Sequence, residues 1–255
     1  MAKQPAADRS RAARAVVQKL ESFQRAGVTH VRKVAPPASA PGEPAEPAEE
    51  PDPGAAPGPS PPGADPRQAA LADVARKVAA CTRCAELVRC RTQTVFGVGN
   101  PQARLVFCGE APGQDEDRQG IPFVGRAGQL LTDIIEKGMK LGRSEVYILN
   151  ILRCRPPGNR NPLPLEAAAC REWLDAQLAI IRPEFICCLG AVAAQNLLDT
   201  TEPIGELRGR IHDYRGIKVV CTYHPAYLLR TPSAKAACWE DIKLLMREMG
   251  IGVEG

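Results

Sequence analysis

Residues 104–135 read RLVFCGEAPGQDEDRQGIPFVGRAGQLLTDII. The run Arg104–Cys108 is apolar and β-rich, and it ends at a glycine turn, Gly109-Glu-Ala-Pro-Gly113. A polar stretch follows, and then Leu130, Leu131, Ile134 and Ile135 recur at helical spacing. A strand, a glycine-rich turn and a helix make the opening half of a βαβ unit.

The same alternation continues along the chain. Val146–Leu152 reads as a second strand, Leu165–Ile181 as a helix stopped by Pro183, and Phe185–Leu189 as a third strand. Ala191–Leu198 reads as a short helix, Lys218–Tyr223 as a fourth strand and Ala236–Met249 as the closing helix. A helix over Gln68–Ala80 precedes them and leads into Cys81. Strands separated by helices predict right-handed crossovers and a buried, four-stranded parallel sheet in a three-layer α/β/α domain, residues 68–255. Ligands of such sheets sit beyond the carboxyl ends of the strands. Chemistry is therefore expected in Gly109–Gly113, Asn150–Arg160, the segment after Gly190, and His224–Arg230.

Residues 1–67 read differently. Val16, Val17, Leu20 and Phe23 mark a short helix over residues 8–26. Residues 35–66 are mostly Pro, Ala, Gly and Glu, too poor in large apolar side chains to repay their ordering entropy, and read as a disordered linker. The short helix reads either as a docking element for an unidentified partner or as a marginal helix without one, since isolated short helices are weak in water. The N-terminus has no apolar stretch of the secretory kind, and no run is long enough to span a membrane. A cytoplasmic, membrane-free, monomeric protein is expected. The net charge of +4 permits nucleic-acid binding without demanding it.

In a reducing compartment, ten cysteines point to metal ligation or buried thiols. Cys108, Cys187, Cys188 and Cys221 lie in strand segments and Cys238 in the last helix, as small hydrophobes. Cys81 and Cys84 form a CxxC pair, and Cys154 and Cys170 a second pair. Four such thiols suit zinc or a [4Fe–4S] cluster, and spacing alone leaves the choice open. Cys90 is a weaker rival ligand.

Three strand-end residues stand out. Phe123, in a polar glycine-rich loop, is a stacking platform for a flat ring or a core residue. Asn150 offers an acceptor oxygen and a donor NH2 that can read the edge of a flat ligand, or it can cap its strand. His224, one of three histidines, precedes a proline at a strand end and points toward a site.

Taken together, the GEAPG loop, the GxPFVGxAG loop, the N-x3-CRPPGNR segment, the HPAxLLR segment and the cysteine spacing resemble the family-four uracil-DNA glycosylases. The resemblance covers residues 68–250. It implies an enzyme that hydrolyses the N-glycosidic bond of deoxyuridine in single- or double-stranded DNA, leaving an abasic site and initiating base excision repair. It also implies a [4Fe–4S] cluster on Cys81, Cys84, Cys154 and Cys170. By motif, Phe123 would stack on the flipped uracil, Asn150 would read its pairing edge, and His224 would donate to O2. Glu110 and the backbone of Gly109–Gly113, including Ala111, would lie against the base and the attacking water. Glu116 would sit near the uracil C5 edge. Leu228 or Leu229 would fill the vacated stack, Arg230 would meet phosphate, and Arg153, Arg155 and Arg160 would offer further phosphate contacts.

The superfamily's best-known branch has a carboxylate where this chain has Ala111, which leaves Glu110 as the nearby acid. A related branch forms a covalent adduct through a histidine between the last two cluster cysteines. Residues 155–169 contain none, so ordinary hydrolysis is expected. Two other readings fit the same residues: a metal-stabilised nucleic-acid-binding module without catalysis, and a hydrolase acting on free nucleotides.

Overall fold

The structure, a computed structural model, describes residues 65–252. The N-terminal helix expected at residues 8–26 and the linker up to residue 64 lie outside the described residues.

The first helix, α1 (Pro66–Ala79), starts two residues before the expected Gln68. Asp65 caps it by accepting from the Arg67 N–H at 2.9 Å, and proline suits the first turn. A short helix, α2 (Ala85–Cys90), follows. Next come β1 (Val98–Gly99), β2 (Leu105–Gly109), α3 (Gln114–Gln119) and α4 (Arg126–Asp133), which runs on into a π turn. Then come β3 (Tyr147–Asn150), α5 (Pro164–Ile181), β4 (Phe185–Leu189), α6 (Ala191–Leu198) and α7 (Ile204–Leu207). The chain continues through β5 (Ile211–Tyr214), β6 (Ile217–Thr222), α8 (Pro225–Arg230) and α9 (Lys235–Met249).

The sheet order is β1-β3-β2-β4-β6-β5. Strands β3, β2, β4 and β6 are the expected parallel four. Two antiparallel edge strands widen the sheet to six. Strand β1 is only two residues long and depends on glycine: a Cβ on Gly99 would lie 2.0 Å from the Val146 carbonyl oxygen. Strand β5 joins β6 through Arg215-Gly216, both at positive φ (53° and 83°), which suits a tight hairpin.

Alternate strand residues feed two cores. Val106, Cys108, Ile186, Cys188 and Cys221 pack beneath α5 and α6. Leu105, Phe107, Cys187 and Val220 pack beneath α4, α8 and α9. The layers are thus α/β/α, and the five strand and α9 cysteines are buried packing residues. Among the described residues no helix is long and apolar enough to cross a membrane.

Chain order reverses between β2 and β3: the next parallel strand, β4, adds on the far side of β2. A crevice at such a switch point is where open α/β sheets bind ligands.

Candidate active site

Gly109 ends β2 and Asn150 ends β3, and the two are paired across the ladder. Their carboxyl-edge position puts them at the mouth of the crevice. A Cβ built on Gly109 would lie 2.4 Å from Asn150 Oδ1 and 2.5 Å from Phe123 Cζ. Glycine alone lets the strand, the amide and the ring meet there.

Phe123 reaches this point through a strained backbone, with φ at 54°. Arg143 holds its carbonyl, donating from Nη2 to the oxygens of Pro122 (2.9 Å) and Phe123 (3.0 Å). Gly128 makes room from the other side, since a Cβ there would fall 1.9 Å from the Phe123 oxygen. The ring is buried, and its centroid lies 5.6 Å from that of His224.

His224 follows β6 and caps α8: its Nδ1 accepts from the Ala226 N–H at 3.1 Å. That bond fixes the neutral tautomer, with the proton on Nε2. Burial, reinforced by the nearby Arg230 charge, holds the imidazole pKa down at about 4.

Asn150 is 2% exposed, and its Oδ1 has no hydrogen-bond partner. A buried acceptor left empty costs about 1–3 kcal/mol. This one opens on a cavity of about 410 Å³ lined by Glu110, Phe123, His224 and the loop residues Ala111–Gly113. Burial raises the Glu110 pKa. Pro156, Asn159, Arg160 and Asn161 form one rim; Tyr227 and Arg230 form the other. The sequence reading did not single out Asn159, Asn161 or Tyr227, though Asn159 stands in the quoted proline-rich segment.

Glu116 lines the cavity, but both of its oxygens serve the backbone. Oε1 accepts from the N–H groups of Val124 (2.9 Å) and Gly125 (3.0 Å), and Oε2 accepts from that of Gly113 (3.1 Å). It clamps the Gly109–Gly113 loop to the Phe123 loop.

Two expectations need correction. Leu228 is 2% exposed and packs in the core, whereas Leu229 and Arg230 of the same helix are exposed. The two leucines are neighbours on a helix and so point different ways, and only Leu229 can face a partner. Arg153 is 1% exposed, with its guanidinium turned to the Asn150 carbonyl and the Gln177 side chain, so it cannot reach phosphate. Arg155 is half-buried and bonded to Asn159 Oδ1 at 2.7 Å. Arg160 pairs with Glu166 (2.7 Å) and Glu86 (2.9 Å), bracing the rim.

The four selected cysteines line one pocket, brought there by the α1–α2 turn, the segment after β3, and α5. Val78, Leu87, Val88 and Trp173 complete its wall. Arg91 donates from Nη1 to Cys154 Sγ at 3.1 Å. Burial, then the neighbouring Cys170 and Cys154, pushes the Cys84 thiol up to about 11. As they stand, no three His, Cys, Asp or Glu side chains among the described residues form a site for a metal ion. A sulfur-rich pocket with apolar walls and a cationic donor nonetheless fits a group held by four thiolates. Cys90 is exposed at the end of α2 and does not line the pocket. Ala111, from the active-site loop, packs against the cluster of Leu87, Leu152, Cys154 and Cys170, so the two sites adjoin.

Comparison with known proteins agrees with this geometry. The family described as the uracil DNA glycosylase superfamily matches residues 96–243. A type-4 uracil-DNA glycosylase of Archaeoglobus fulgidus is 43% identical over 181 residues, covering 68% of this chain and 90% of the relative. One from Thermotoga maritima is 46% identical over 170 residues, covering 66% and 87%. A type-5 uracil-DNA glycosylase of Thermus thermophilus is 31% identical over 150 residues, covering 47% and 68%. With its sheet, its strand-tip crevice and these relatives together, the chain belongs to the uracil-DNA glycosylase superfamily, alongside the type-4 enzymes.

Proposed function

We propose that this chain removes uracil from DNA by hydrolysing the N-glycosidic bond of deoxyuridine, the first step of base excision repair. The observation that carries the reading is the orphaned Oδ1 of Asn150, which lines one cavity with the Phe123 ring and the His224 imidazole. Uracil presents an N3–H donor to such an acceptor and an O4 acceptor to the amide NH2. Cytosine presents the opposite pattern and leaves buried polar groups unpaired.

The base cannot be reached within a duplex, so it must be flipped into the cavity at a cost of a few kcal/mol. Phe123 stacks on it. As the bond to C1′ breaks, negative charge moves to O2, where the His224 Nε2–H donates. A neutral imidazole is suited to this because it carries its proton across the whole working range. Glu110 borders the space where water approaches C1′. Leu229 fills the vacated stack and Arg230 meets phosphate. Glu116 sets the two loops that frame the C5 edge.

Cys81, Cys84, Cys154 and Cys170 would hold a [4Fe–4S] cluster. When bound, it supplies a rigid tie between the α1–α2 arm and the segment behind Asn150. The protein would act in the cytoplasm, where such thiols stay reduced.

The test is uracil release from single-stranded, U:G and U:A oligonucleotides by the native chain, Asn150→Ala and His224→Ala. Release by the native chain and a loss of about 10²–10³-fold in each variant are expected. No release by the native chain, or full activity without Asn150, overturns the reading. The first result would instead favour a nucleic-acid-binding module.

A further inference from the structure

Arg153 is a buried cation that the reaction above does not use. Among the described residues its guanidinium finds two acceptors, the Asn150 carbonyl and Gln177 Oε1, and neither is charged. Its Nε has no partner. It lines the same pocket as Cys81, Cys84, Cys154 and Cys170. A guanidinium so deeply buried is costly unless an anion compensates it. Thiolates that bind metal are anions, whereas free thiols are not.

The geometry points to Arg153 as a positioning residue: it neutralises the negative charge of the group held by Cys154 and Cys170 and, with the other end of its fork, fixes the carbonyl of Asn150. This rests on the four-cysteine reading above. One side chain then ties the occupancy of the cysteine pocket to the residue proposed to read the base. Gln177 completes the brace, since its Nε2 donates to the Phe96 oxygen (3.0 Å) and the Tyr147 hydroxyl (3.2 Å), anchoring the guanidinium to β3.

The test compares the full-length native chain with Arg153→Lys and Arg153→Gln, all purified without air. Three quantities are measured: the rate at which a chelator bleaches the visible iron–sulfur absorbance, the midpoint potential of the cluster, and the affinity for an oligonucleotide carrying an uncleavable deoxyuridine analogue. Arg153→Gln is expected to bleach about 10–100-fold faster. Its potential should move to more negative values, because a lost cation makes electron uptake harder. The fraction still loaded should bind the oligonucleotide about tenfold more weakly. Arg153→Lys keeps the charge and is expected to retain the native bleaching rate and potential while losing oligonucleotide affinity, because a point charge cannot bridge both acceptors.

Native bleaching and potential in Arg153→Gln overturn the inference. So does an Arg153→Lys variant as labile as Arg153→Gln, which would show that shape rather than charge matters. If Arg153→Gln does not fold, the Lys variant decides: a native potential supports the inference and a shifted one overturns it. A native chain without iron–sulfur absorbance removes the four-cysteine reading, and this inference with it, without touching uracil release.

Discussion

Gly109 is the narrowest residue of the site, because both Asn150 Oδ1 and the Phe123 ring occupy the space a Cβ would take. Gly109→Ala is expected to keep the far-ultraviolet circular dichroism of the native chain while lowering kcat/KM by about 10²-fold or more, since displacements near 1 Å carry such losses. Near-native turnover would show that the contact is not needed. His224 gives a second expectation. Its folded-state pKa of about 4 lies below the ordinary 6.5, so the fold disfavours the protonated form. Its contribution to stability is complete above pH 6.5, falls as pH drops from 6.5 towards 4, and is gone below that range. The kcat profile should therefore show no step near 6.5, and a step there, abolished in His224→Ala, would contradict the neutral donor. The sequence could place Asn150 and His224 at the sheet's carboxyl edge because each ends or follows a strand, and Phe123 stood out only as an aromatic in a glycine-rich loop. The choice between Leu228 and Leu229 was not legible, since neighbours on a helix differ only in phase. Nor was the burial of Arg153, which depends on Gln177 of a distant helix.

At the level of elements, α3 is held by its acids. Glu116 accepts three backbone N–H bonds across two loops. Asp117, on the same helix, is buried and accepts from the Thr92 N–H at 2.9 and 3.0 Å, tying the helix to the α2 arm. Charge-assisted bonds of this kind contribute about 1.5–3 kcal/mol each. Glu116→Gln retains one acceptor oxygen and loses the charge. Thermal unfolding should show its midpoint lower by about 4–8 °C, and KM for uracil-containing DNA should rise more than kcat falls; an unchanged midpoint would mean the clamp is idle. The long elements could be read from sequence because their apolar pattern is continuous, as in Phe185–Leu189. Edge strands β1 and β5 could not. One is two residues long and made possible by glycine, and the other carries His212 and Asp213 within it. The six-residue helices α2, α3 and α8 are too short for their periodicity to show.

For the whole molecule, the four cysteines join an arm, residues 66–91, to the segment behind Asn150 and to α5. Iron removal by a chelator, or Cys84→Ala, is expected to loosen that arm and leave the two sheet cores intact. Limited proteolysis should then cut between residues 79 and 95, while circular dichroism still reports the sheet. An arm that resists cleavage after the iron is gone would show that α1 suffices, held on α5 by packing and by the Arg67 Nη1 bond to the Ile181 oxygen (2.9 Å). The sheet has one more consequence. The spacing of two parallel strand tips is set by their hydrogen-bond ladder, at roughly 4.8 Å. Gly109 and Asn150 stand on two such rungs, while Leu229 and Arg230 ride on a separate rim helix. The ruler that chooses the letter is thus made of backbone, and the hand that holds the page is made of side chains. Changes to the rim can lengthen or shorten each visit to DNA without altering what is cut.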